Sequence, residues 1–243
     1  MRLSKKVISL IFLSSMMLGF DSSSRSNIVY NSNLSSIKSI SETTDKTKQV
    51  IITQNSNKED IKKTKLIETE KRTQEELEEQ RKLNVTYSRS DMTLPSGITK
   101  EELKAVLMHY EGASTMAHLS DALVDAENEC GVNAFTMASI VALESGFATS
   151  RRAVEDNNLT GYEVYSDDSE GRLFANQDES VLHTARHLSK NYLTVDGMYY
   201  RGLSVDDVQV NYCPDEGKGK NWDEKVNKIA SGFLEVYKEL YMQ

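Results

Sequence analysis

The chain has 243 residues, is 38% hydrophobic and carries a formal net charge of −8 at pH 7, enough for one or two domains. The charge is unevenly spread: residues 1–97 hold 16 basic against 12 acidic side chains, whereas residues 98–243 hold 13 against 25. A C-terminal half this acidic excludes a nucleic-acid binder, which needs clustered Lys and Arg to displace counterions from phosphates.

At the N-terminus, Arg2, Lys5 and Lys6 precede the apolar run Val7–Phe20. A basic segment followed by ~14 apolar residues is the pattern of a secretory signal peptide or signal-anchor over residues 1–20. The run falls short of the ~20 residues of a full membrane span. Residues 21–96 read as a linker. Its first part, 21–58, has too little apolar surface to offset chain entropy and is expected to be disordered. Lys58–Asn84 lacks Gly and Pro and pairs Glu with Lys or Arg at helical spacing, which predicts a solvated helix without a sustained heptad seam. Pro95-Ser96-Gly97 punctuates the boundary, and residues 97–243 are expected to form the folded domain.

Within that domain, Thr99 and Glu102 form a capping-box pattern ahead of Leu103, Val106 and Leu107. A second helix is predicted over Met116–Cys130, stopped by Gly131. A third follows from Ala134 to Ser145, capped by Asn133, apolar nearly all round and ended by Gly146. From Asn157 to Phe174 helical periodicity disappears around an acidic, Gly-containing turn, which predicts a small β-hairpin. Helical patterns return at about Asp178–Tyr192, Ser204–Tyr212 and Trp222–Tyr241. The expected fold is mostly α, with one small hairpin.

Glu144 is the one charged residue between Ala134 and Thr149. It sits in the last turn of an apolar helix, where desolvation and the negative end of the helix dipole both raise a carboxyl pKa. That suits a general acid working near neutral pH. The bland reading is an ordinary ion-paired Glu at a helix end.

The stretch Ala138–Tyr162 resembles the signature of bacterial N-acetylglucosaminidases of glycoside hydrolase family 73. There a helix ends in Ala-Leu-Glu-Ser-Gly, followed by Trp-Gly, a Ser and then Asn-Asn-Leu-Phe-Gly. Phe174–Ser180 is similar to the segment leading into that family's next helix. Asn211–Asp215, with Asn221-Trp222 and Lys225-Val226, resembles its Tyr-Ala-Thr-Asp motif and closing helix. The resemblance covers residues ~99–240 and implies a lysozyme-like, two-lobed helical domain acting on peptidoglycan glycan strands. It makes Glu144 the catalytic acid and Tyr212 an active-site residue, which under substrate assistance would orient the 2-acetamido group. It departs from the family at Phe147-Ala148, Thr160 and Cys213-Pro214, and in an insertion at Glu216–Lys220.

Glycosidases commonly pair the acid with a second carboxylate. The candidates are Glu163, Asp167, Asp168 and Glu170, with Glu163 and Asp168 preferred; substrate assistance would need none of them. Phe147, Asn157, Asn158, Tyr162, Tyr165 and Trp222 are candidate substrate-binding residues, the two Asn also serving to position the loop. His183 and His187 have metal-ligand spacing, but no third ligand accompanies them, so no metal or cofactor is expected. Cys130 and Cys213 are the only cysteines; an exported chain permits their pairing. The expected molecule is a monomer at the cell wall, secreted or tethered through its N-terminal segment. The alternatives are a muramidase or lytic transglycosylase, or a catalytically silent wall-binding protein.

Overall fold

The computed structural model describes residues 34–164, 170–214 and 221–242; within the first helix, side chains are described only at 46–49, at 58 and from 60 onward. The signal segment 1–20 lies outside the described residues. The chain divides into two units, 1–64 and 65–243. Of the first, the described part is helix from Leu34 onward. This helix, α1, spans Leu34–Leu83, so it begins well before Lys58 and includes residues for which the sequence suggested disorder. Where α1's side chains are described they are almost all exposed, including Ile61, Leu66, Ile67 and Leu77. No described helix is long and apolar enough to cross a membrane.

The second unit is mostly helical, as expected, and its centre is α4. The helices after α1 are α2 (Lys100–His109), α3 (Ser120–Cys130), α4 (Ala134–Ser145), α5 (Arg151–Glu155), α6 (Gln177–Asn191), α7 (Val205–Tyr212) and α8 (Trp222–Tyr241). A 3-10 turn, Ser114–Leu119, replaces the first part of the predicted second helix. Ten of the twelve residues of α4 are buried, because its sequence is apolar on every face. Helix α8 packs along it, α3 packs on α6, and α2 closes against α8.

Both ends of α4 are fixed by the residues the sequence marks. The Asn133 side chain accepts from the N–H groups of Phe135 and Thr136, satisfying donors that a helix leaves orphaned. At the other end Gly146 adopts a left-handed conformation (φ 58°) that a side chain would strain. The Thr99–Glu102 capping box forms as read, and Glu102 also binds Arg81 at the end of α1.

Packing begins before the expected boundary at Gly97. Met92 and Ser96 are fully buried, and Val85 and Ile98 are nearly so. The Met92 backbone donates to Leu203 O and accepts from Asn133 N–H, while Asn133 Nδ2 donates to Leu94 O. Val85, Met92, Ser96 and Ile98 thus anchor this segment to the folded unit.

The predicted hairpin is not borne out among the described residues. Neither 157–164 nor 170–174 is strand; Arg172 N–H bonds to Tyr162 O and Phe174 N–H to Asp156 O, which closes a loop rather than a ladder. The tip of this segment, 165–169, lies outside the described residues. Cys130 and Cys213 are each partly buried.

Candidate active site

Glu144 projects from the last turn of α4 at the point where the chain reverses. Three consecutive residues, Gly146, Phe147 and Ala148, have left-handed φ values of 58°, 60° and 62°. For the two non-glycines this costs on the order of 1 kcal/mol each, which the surrounding contacts must offset. Those contacts come from Ser145. Its hydroxyl is buried and donates to Val141 O while accepting from Ala148 N–H at 2.7 Å, and its carbonyl accepts from Ser150 N–H. Ser150 then caps the short helix α5.

Trp222, the first residue of α8, supplies the hydrogen bond that fixes the Glu144 carboxyl. Its indole Nε1–H donates to Glu144 Oε1 at 2.7 Å. The Tyr212 ring lies 5.0 Å from the indole, tilted by 40°, and Tyr192 meets Tyr212 edge-on at 5.7 Å. The ends of α7 and α8 are held together by Arg89, whose guanidinium reaches Asp206, Asp223 and Glu224 at 2.6–2.9 Å. Asp223 N–H also donates to Gln209 Oε1.

Water reaches Glu144 from one side, so the residue counts as exposed, yet protein atoms crowd the carboxyl on the others. That crowding pushes the Glu144 pKa up, and the Trp222 hydrogen bond, which favours the carboxylate, pulls it part of the way back. Burial, reinforced by the charge of Glu144, holds the Tyr212 phenol well above its ordinary range, so it is a neutral hydroxyl at any working pH.

Two hollows meet at Glu144 and Gly161. The first, about 400 Å³, is lined by Thr160, Tyr162, Glu163, Tyr192 and Tyr212 among others; the second, about 440 Å³, by Ser150, Arg151, Arg152, Asn158 and Val164. The loop forming their far wall is secured by side-chain bonds to backbone. Asn158 is buried; its Nδ2 donates to Tyr162 O and Arg172 O, and its Oδ1 accepts from Tyr162 N–H. Asn157 Nδ2 donates to Phe174 O. Thr160 and Thr184 share a hydroxyl–hydroxyl bond of 2.7 Å, and Leu159 N–H donates to Ser180 Oγ, tying the loop to α6.

Of the residues singled out from the sequence, Glu144, Tyr212, Tyr162 and Glu163 meet in the first hollow. Trp222, a candidate sugar platform from the sequence, is buried and bonded to the Glu144 carboxyl through its indole N–H. Asn157 and Asn158 use their side chains on the loop itself. Phe147 turns away from both hollows, half-buried against Tyr110 and Gly112. Tyr165 and Asp168 lie outside the described residues.

Sequence reasoning missed Tyr192, Thr184 and His187 as lining residues. His187 and His183 both stack edge-on against Tyr162, at 5.5 and 4.4 Å, and burial lowers both pKa values, which favours neutral rings. Their i, i+4 spacing was visible, but it signalled a packed pair as readily as a lining one.

Residues 120–234 match the family model named Glucosaminidase, described as mannosyl-glycoprotein endo-beta-N-acetylglucosaminidase. This stretch of the chain is similar to the glucosaminidase family. No curated protein matches the chain. The glucosaminidase match starts at the first residue of α3 and ends within α8, so it takes in Glu144, the two-hollow cleft, Tyr212 and Trp222. The family is one of glycoside hydrolases, and a carboxyl with a raised pKa where two hollows meet is compatible with that chemistry.

Proposed function

We propose that this glucosaminidase domain is an endo-β-N-acetylglucosaminidase that hydrolyses the GlcNAc–MurNAc bond of peptidoglycan, with Glu144 as general acid. The observation that carries the reading is the Glu144 carboxyl at the junction of two hollows, its pKa raised by crowding and one oxygen engaged by Trp222. With Oε1 accepting the indole N–H, the acidic proton belongs on Oε2, from which it passes to the glycosidic oxygen as the bond breaks. A cleft that continues on both sides of the acid suits an enzyme cutting within a strand.

Substrate assistance accounts for the second half of the reaction. The oxygen of the 2-acetamido group attacks the anomeric carbon as the leaving sugar departs, and the Glu144 carboxylate then takes a proton from the water that opens the resulting ring. Tyr212, neutral and packed between Trp222 and Tyr192, orients the acetamido group by hydrogen bonding. Glu163, on the wall of the first hollow, and Asp168 are the protein carboxylates that would serve in a mechanism without assistance. The apolar segment at residues 1–20 fits export to the wall, with the head secreted or held near the membrane.

Mass spectrometry of borohydride-reduced products from walls digested with the full chain tests this reading. New N-acetylglucosaminitol ends are expected, and Glu144→Gln should abolish them while wall binding persists. N-acetylmuramitol ends would make the enzyme a muramidase, and anhydro-muramic ends a transglycosylase. No new ends from the wild type would leave a wall-binding protein.

A further inference from the structure

The two hollows that meet at Glu144 differ in charge. Around the first, the described lining holds no Lys or Arg; it presents Tyr162, Tyr192 and Tyr212, the carboxylate of Glu163, and a His187 ring that burial keeps neutral. Around the second, the guanidinium groups of Arg151 and Arg152 stand together with Ser150 and Asn158. The contrast is local: over residues 98–243 acidic side chains outnumber basic ones by 25 to 13. Two consecutive arginines at the cleft of so acidic a domain form a selective feature against that background.

Both arginines have intrahelical partners, and these differ in grip. Arg152 is largely buried, with 15% of its side chain exposed, and lies 3.5 Å from Asp156, so its position is fixed. Arg151 pairs with Glu155 at 3.1 Å, but their side chains are 59% and 60% exposed. An exposed i, i+4 pair contributes little to stability, so the Arg151 guanidinium is available to an incoming anion. Guanidinium geometry matches a carboxylate with two parallel hydrogen bonds.

Resting on the glucosaminidase reading, we infer that the hollow lined by Arg151 and Arg152 receives the carboxylate-bearing sugar of the strand, and the tyrosine-lined hollow the uncharged N-acetyl sugar. Attraction by the arginines and repulsion by Glu163 act in the same direction, which sets the polarity of the strand across Glu144. The leaving group is then the acidic sugar. Its carboxylate is either the lactyl ether itself or belongs to the peptide stem attached there.

The test uses the full chain with Glu144→Gln, which binds without cutting, alone and combined with Arg151→Glu. Binding is measured to three surfaces: native walls, walls whose carboxylates have been converted to amides, and peptide-stripped glycan coupled to beads. On native walls Arg151→Glu should weaken binding about fivefold to tenfold, the scale of a lost charge-assisted hydrogen bond partly screened by solvent. On amidated walls it should change binding by less than about twofold, and the melting temperature should stay unchanged, because the Arg151–Glu155 pair is exposed. Loss on native walls alone assigns the carboxylate to the stem; loss on stripped glycan assigns it to the lactyl group. Equal loss on all three surfaces, or no loss on either native walls or stripped glycan, overturns the proposal. Lysis by Glu144→Gln alone would instead overturn the glycosidase reading beneath it.

Discussion

At the scale of single residues, Glu144 stood out as a candidate acid and its hydrogen-bond partner did not. Glu144 stands out in the sequence because no other charge accompanies it along an apolar helix, and burial does raise its pKa. Trp222 was legible only as an aromatic candidate for sugar contact. Its hydrogen bond to Glu144 joins residues 78 positions apart, and nothing local encodes that pairing. The bond has a measurable consequence. The Trp222 N–H stabilises the charged carboxylate, so removing it raises the Glu144 pKa further. In the proposed role of general acid Glu144 acts when protonated, and activity is lost as pH rises through its pKa. Trp222→Phe should therefore move the alkaline limb of the kcat/KM profile to higher pH, with roughly a tenfold fall at the optimum from looser placement of the carboxyl. A limb that moved to lower pH, or not at all, would disconnect Trp222 from the acid's proton.

At the scale of elements, helices were predicted well wherever capping and periodicity agreed. The Asn133 and Gly146 boundaries of α4 and the full extent of α8 match the expectation. Helix α5 was missed because five residues are too few for periodicity, and residues 157–164 and 170–174, which are not strand, suggest strands in sequence because apolar residues alternate around an acidic turn. The sequence also gave no sign of what joins α7 to α8, which is Arg89, far upstream. It gathers Asp206, Asp223 and Glu224, and without it three carboxylates would face one another beside Trp222. Arg89→Met should cost about 2 kcal/mol, most of it from Asp223, the least exposed of the three, or roughly 4–8 °C in melting temperature. The pH dependence follows from the sign of the Asp206 shift. Its hydrogen bond to Arg89 depresses its folded pKa below 3.8, so the clamp stabilises at neutral pH and is lost as pH falls through that depressed value. The gap in melting temperature between wild type and variant should be widest near neutrality and close in strong acid. A gap independent of pH would mean that the carboxylates are not what Arg89 holds.

At the scale of the whole molecule, buried residues precede the boundary that composition suggests. The segment from Asn84 to Ser96 is polar, with Pro95 at its end, and reads as linker because its apolar residues are few and without a period. Their burial is a long-range fact. Met92 is fully buried and Val85 nearly so; the Met92 backbone is bonded to Leu203 and Asn133, and Arg89 clamps α7 and α8 from the same segment. Burying Met92 and Val85 is worth roughly 3–5 kcal/mol, and the Arg89 clamp adds about 2. A domain's entire stability is only about 5–15 kcal/mol. A chain cut at the compositional boundary, residues 97–243, should therefore lose cooperative thermal unfolding, although it contains the whole family match. A chain of residues 65–243 keeps the segment and the Arg81–Glu102 contact, and should melt as a single transition with wall-cleaving activity intact. Far-UV circular dichroism on heating, with lysis assayed alongside, separates the two. A sharp transition and full activity from residues 97–243 would return the segment before Gly97 to the status of a linker. Failure of the shorter chain beside a cooperative longer one would make residues 85–96 a structural part of the catalytic head, acting on the cleft through Arg89, the ends of α7 and α8, and Trp222.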